Sequence, residues 1–227
     1  MLLYSLWSIF VFAVVGSTSA RRGLVARDDN LPARVPYVFP ALGTNQIADA
    51  IRARRDNGTL LDLDGALLNA PLIAQSWNDI AGVVRDNNTI PADMRELMIL
   101  RTAVLSNSAY IWLQHESVGR AAGLTTNDLL TLRMAPPMVG LGAINSSAAR
   151  TLNSTLSPAL GAAVDFADCS TQTVRISQAV YDRLHKLLTH KQMVEAMITV
   201  GFYNLVSRFV VGLNVDDKMN VPVPIPK

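Results

Sequence analysis

The stretch PADMRELMILRTAVLSNSAYIWLQHESVGRAAGL, Pro91 to Leu124, decides the fold of this chain. It predicts two helices joined by the short polar turn Ser106-Asn107-Ser108. Each helix carries one ionisable side chain on its apolar side. Glu96 is followed at helical spacing by Ile99, Leu100 and Ala103, and His115 has Ile111, Val118, Gly119 and Ala122 on its own face. Both groups therefore point into a core or an apolar cleft. Burial disfavours charge unless a partner is supplied, which makes such groups candidates for proton chemistry.

A tight turn folds the two helices antiparallel. Glu96 lies ten residues before the turn and His115 seven after it. At a rise of about 1.5 Å per residue that difference is on the order of one helical turn, so the two can touch or share a pocket. A buried carboxylate beside an imidazole can act as acid and base in turn. It can also be an inert pair that fixes helix packing. Arg101 has Leu97, Val104 and Leu105 on its face. A buried guanidinium needs a carboxylate, supplied either by the protein or by a substrate. Tyr110 and Trp112 flank the start of the second helix, as packing groups or, for the Tyr110 hydroxyl, as a hydrogen-bond donor.

Outward from the hairpin, the pattern stays helical. A first helix is expected from Thr44 as N-cap, through Ile47 and Ile51 to Arg54. A second follows over 65–84, with Pro71 at the first turn of its main part. A short helix with Leu129, Leu130 and Leu132 ends at Pro136-Pro137, and 135–157 read as a connection rich in Gly, Ser, Asn and Pro. Pro158 to Ala167 predicts a short helix and Thr171 to Leu188 another. Thr189 caps a nearly continuous apolar helix to about Leu213, in which Glu195, Asn204 and Arg208 argue for burial in a multi-helix assembly rather than a membrane span. No strand pattern of any length occurs. The fold class is all-α, with a domain over 44–215, an extended arm over 21–43 and a Pro-rich tail over 216–227.

Half of the 227 residues are hydrophobic and the net charge is +2, enough for a proper core. Basic residues are scattered. The densest group, Arg52-Ala53-Arg54-Arg55, is followed by Asp56, Asp62 and Asp64, so no nucleic-acid footprint is indicated. Leu2 to Val15 is an uncharged apolar run ending in small residues, which matches a signal peptide cleaved near Ala20 despite lacking a positive start. A membrane anchor is the alternative, but the run is short for a span, and no membrane association is expected once it is removed. Sequons at Asn57, Asn87, Asn145 and Asn153 fall in loops or helix ends and fit a secreted glycoprotein. Cys169 stands alone, which excludes an internal disulfide and any CxxC or zinc cluster; it reads as a small packed residue.

The runs Arg95-Glu96-Leu97-Met98-Ile99-Leu100-Arg101-Thr102-Ala103, Tyr110-Ile111-Trp112-Leu113-Gln114-His115 and Gly119-Arg120-Ala121-Ala122-Gly123-Leu124 resemble the carboxymuconolactone decarboxylase and alkylhydroperoxidase-D-like superfamily. The segment Val200 to Phe209 resembles the last helix of its cysteine-free, largely fungal and bacterial relatives. The resemblance spans roughly 45–215. It implies a helical bundle built on a central hairpin and a long C-terminal helix, assembled as trimers or hexamers. The peroxidase branch of that superfamily has a Glu and a His nineteen residues apart, which Glu96 and His115 reproduce. Its two cysteines fall on Ser108 and Ile111, so peroxide reduction through a thiolate and a resolving thiol is excluded. What the resemblance leaves is decarboxylase-like chemistry on a small organic acid or lactone, without metal or organic cofactor. His115 would then shuttle the proton, Glu96 would hold its tautomer or act as base, and Arg101 or Tyr110 would orient a carboxylate, with Trp112, Ser108 and Ile111 around the substrate. An isomerase or cyclase could use the same groups, and a non-catalytic small-molecule binder could retain them.

Overall fold

The structure is a computed structural model and describes residues 33–55, 58–136 and 156–227. The described part is all-α, with no strand among the described residues. In chain order its helices are α1 (Gln46–Arg54), α2 (Asp62–Leu67), α3 (Pro71–Asp86), α4 (Ala92–Leu105), α5 (Ala109–Ala121), α6 (Thr126–Met134), α7 (Pro158–Thr173), α8 (Gln178–His185) and α9 (His190–Gly212). A single 3₁₀ turn follows at Val215–Asp217.

Helix α4 is the axis of the bundle, and α5, α6, α7 and α9 all pack against it. Its sequence explains the position. Apolar residues run round every face, so α4 has no solvent side to offer, and Leu97 to Ala103 are buried without exception. The partner helices supply small residues where they cross. Gly161, Ala162, Ala163 and Ala167 are all buried on α7. Gly119 on α5 sits where a Cβ would come within 3.0 Å of Leu100 and 3.1 Å of Leu124. Gly123, at φ +108, ends α5 in a backbone conformation that side chains resist.

Several boundaries differ from expectation. The first helix is capped by Asn45, whose Oδ1 accepts from the Ala48 N–H at 3.0 Å, while the Thr44 hydroxyl turns away to donate to the Ala41 carbonyl. α7 does not stop at Ala167 but runs to Thr173, and the added part carries buried Asp168, which accepts from Arg101. The single helix expected over Thr171 to Leu188 is divided instead. Val174 takes a left-handed conformation, φ 62, and Ser177 starts α8 by accepting from Val180. The expected connection over 135–157 lies largely outside the described residues.

α9 is long and apolar enough to cross a membrane by length and composition. One side of it, including Met193, Ala196, Val200, Tyr203 and Val210, is buried against α3, α4, α5 and α7. Both ends of the described chain return to the bundle. Arg34 donates from its backbone to Leu213, the Asp216 N–H donates to the Tyr37 hydroxyl, and the Val223 side chain is buried.

Candidate functional site

Three helices meet at one buried line of polar groups. α4 presents Glu96, α5 presents His115, and α9 presents Tyr203. The α4–α5 turn reverses through Asn107 at φ 48, which brings Glu96 and His115 level. His115 Nδ1 lies 2.8 Å from Glu96 Oε2, and His115 Nε2 lies 3.0 Å from the Tyr203 hydroxyl. On the far side, Arg95 Nε donates to Glu96 Oε1 at 3.2 Å. The His115 and Tyr203 rings meet edge-on at 89°.

Electrostatics assigns the protons. Burial pushes His115 below its ordinary value, against the pull of Glu96, so the imidazole is neutral at neutral pH. Burial alone would raise Glu96, but its hydrogen bond with His115 and the charge and hydrogen bond of Arg95 outweigh this and hold it below the ordinary carboxylate value. An ionised Glu96 can only accept, so His115 donates from Nδ1–H. That leaves Nε2 as an acceptor, and the Tyr203 hydroxyl donates to it. Burial raises the Tyr203 phenol, keeping it protonated. The chain therefore runs from Tyr203 O–H to His115 Nε2, and from His115 Nδ1–H to the Glu96 carboxylate.

This line opens on a cavity of about 100 Å³. His115 and Tyr203 line it and Glu96 does not. Leu61, Leu63, Trp77, Ala81, Ile111, Phe202 and Val206 give it apolar walls, Tyr110 and Gln114 are further polar lining groups, and Arg54, Arg55 and Arg85 bring positive charge. Gln114 is exposed, so the cavity reaches the surface there. The combination of apolar walls and a few convergent polar groups is that of a small-molecule site.

The residues expected at a site are sorted by this geometry. Tyr110 and Ile111 line the cavity with His115. Burial raises the Tyr110 phenol, so it too stays protonated. Arg101 is elsewhere. Its Nε and Nη2 hold Asp168 at 2.5 and 2.8 Å, and its remaining donors go to the carbonyls of Leu132, Ala135 and Pro136. All five guanidinium donors are thus satisfied within the protein, and the expectation that Arg101 orients a substrate carboxylate is corrected. Trp112 is fully buried outside the cavity and donates to Glu116 at 2.7 Å. Ser108 is buried at the α5 N-terminus, also away from the cavity, with its hydroxyl unpaired among the described residues.

Tyr203, Arg54, Arg55 and Arg85 join the site only through the fold. A hydroxyl-bearing aromatic on the buried side of α9 is a faint signal for the first. For Arg85, a cation four residues after Ala81 and eight after Trp77 shares their helix face. Of the sequons, Asn87 is exposed at the end of α3, while Asn57, Asn145 and Asn153 lie outside the described residues.

Residues 71–153 match the model of the carboxymuconolactone decarboxylase family. The match agrees with the resemblance over the central part of the chain and takes in Arg85, Glu96 and His115. Arg54, Arg55 and Tyr203 fall outside it. No curated protein matches the chain significantly.

Proposed function

We propose that this chain is an acid–base enzyme of decarboxylase-like type, acting on a small organic acid or lactone. The observation that carries the reading is the buried hydrogen-bonded line from Tyr203 through His115 to Glu96, ending on a small cavity. Tyr203 and His115 are the groups that meet the substrate, and Glu96 is a positioning residue acting through His115. When a proton arrives at the Tyr203 oxygen, the phenol's own proton passes to His115 Nε2. The imidazolium so formed is stabilised by Glu96. Running the line backwards returns the proton to carbon, the step that must follow departure of CO₂. Loss of CO₂ also needs a donor for the oxyanion that receives its electrons, and Tyr110 stands protonated at the cavity wall. The same groups would serve an isomerase or a cyclase.

Thiol peroxidase chemistry is not part of the proposal. Ser108 and Ile111 carry no thiol, and Cys169 on α7 lies outside the cavity, its thiol raised by burial and by Asp168. The signal-like start and the exposed Asn87 support a secreted glycoprotein, for which tailoring of secreted metabolites is a fitting role. The exposed apolar residues Leu72, Ile73 and Val83 on α3, with Val194, Ile198 and Leu205 on α9, support self-assembly.

The test is turnover of β,γ-unsaturated and lactone carboxylic acids by purified protein, followed by mass spectrometry. A product lighter by CO₂ identifies decarboxylation, and a product of equal mass an isomerase. Tyr203→Phe and His115→Gln are each expected to lower the rate by about a hundredfold or more. Unchanged rates in both would overturn the relay.

A further inference from the structure

Three guanidinium groups face a cavity of about 100 Å³, and their partners are unequal. Arg55 is held by both oxygens of buried Asp64, each at 2.6 Å, so its charge is matched. Arg54 donates to the neutral Asn78 amide at 2.7 Å and reaches Asp86, itself half exposed, only at 4.0 Å. Arg85, at the last turn of α3, has no hydrogen-bond or ion-pair partner among the described residues. Its guanidinium nitrogens are not sealed in the interior, so the fork is open to an incoming anion. Here it stands beside two other cations and a neutral imidazole–phenol pair. Burial and the charges of Arg55 and Arg85 together depress Arg54, and Arg85 also acts electrostatically on both His115 and Tyr203.

We infer that Arg85 is the specificity-determining residue of this cavity, binding the carboxylate of the substrate through its free guanidinium fork. The inference rests on the proposed acid–base reading and narrows it. The cavity takes a small monocarboxylate anion rather than an uncharged lactone, with the apolar body against Trp77, Ala81, Ile111 and Val206 and the reacting carbon toward Tyr203. A planar fork matches a carboxylate with two parallel charge-assisted hydrogen bonds. An anion there also relieves the mutual repulsion of Arg54 and Arg85.

The probe is vinylacetate, a β,γ-unsaturated acid of a few heavy atoms, compared with its neutral amide. Binding is measured calorimetrically at neutral pH, alongside the melting temperature. Wild type is expected to bind the acid and to discriminate against the amide. Arg85→Gln is expected to weaken acid binding by about tenfold to a hundredfold, and Arg85→Lys to recover part of it. Because Arg85 holds no other residue among those described, Arg85→Gln is expected to melt no lower than wild type. Equal affinity for acid and amide, no binding of either by wild type, or unchanged acid binding in Arg85→Gln would each overturn the inference. Binding needs no proton transfer, so the two readings fail separately. Full turnover by Tyr203→Phe and His115→Gln sinks the relay and leaves Arg85 standing, whereas intact binding by Arg85→Gln sinks Arg85 and leaves the relay.

Discussion

His115 holds the centre of the site by hydrogen bonds at both ring nitrogens, and its state couples stability to pH. Its folded pKa lies below the ordinary value of 6.5, and that of Glu96 below 4.5. In both cases the unfolded chain binds a proton more readily than the native one. Stability is therefore fully present above the unfolded pKa and falls as pH drops through the folded one. Acid unfolding is expected to begin as pH falls below about 6.5 and to steepen below about 4.5 as Glu96 is protonated. In His115→Gln the upper part of this limb should flatten, as urea titrations at successive pH values would show. For turnover, Glu96→Gln removes the carboxylate that raises His115, so the acid limb of the rate profile is expected to move to lower pH. A purely structural Glu96 would lower the rate without moving that limb. Arg101 makes the contrasting case. Arg101→Met strips Asp168 and three carbonyls of their shared donor in a dry interior and is expected to cost about 3–5 kcal/mol, measured by denaturant unfolding.

At the scale of elements, the helix ends carry the local information. Val174 closes α7 at φ 62 with its side chain 85% exposed. A β-branched residue pays for that conformation and here gains no packing in return. Val174→Asn is expected to stabilise the chain by about 1 kcal/mol, read as a higher urea midpoint at unchanged slope. Gly119 is the opposite case. An added methyl would press on Leu100 and Leu124 at 3.0 and 3.1 Å, so Gly119→Ala is expected to cost about 1–3 kcal/mol. It would also push α5 from α4 and lengthen the contact between Glu96 and His115. Turnover should then fall further than the loss of stability alone accounts for.

For the whole molecule, the division between sequence and tertiary structure follows the range of the interactions involved. The all-α class, the hairpin, and the meeting of Glu96 with His115 were legible because they depend on contacts three, four and nineteen residues apart, within one turn and one helix reversal. Pro71 and Thr189 mark helix starts for the same local reason. The break at Val174 was not legible, since a valine gives no local sign of a left-handed residue and only the docking of α7 and α8 imposes it. Tyr203 reaches His115 across 88 residues, and no spacing rule connects positions that far apart. Arg101 and Arg85 show the division most sharply. Read locally, each is a cation on a largely apolar helix face, and either could have held a substrate. The difference is made by Asp168, brought 67 residues along the chain to Arg101, while packing brings no such partner to Arg85 among the described residues. The sequence by itself determined which groups are ionisable and which helix faces they occupy. Only the tertiary structure decided which charges are neutralised, because a buried charge is settled by whatever lies within a few ångströms of it in space.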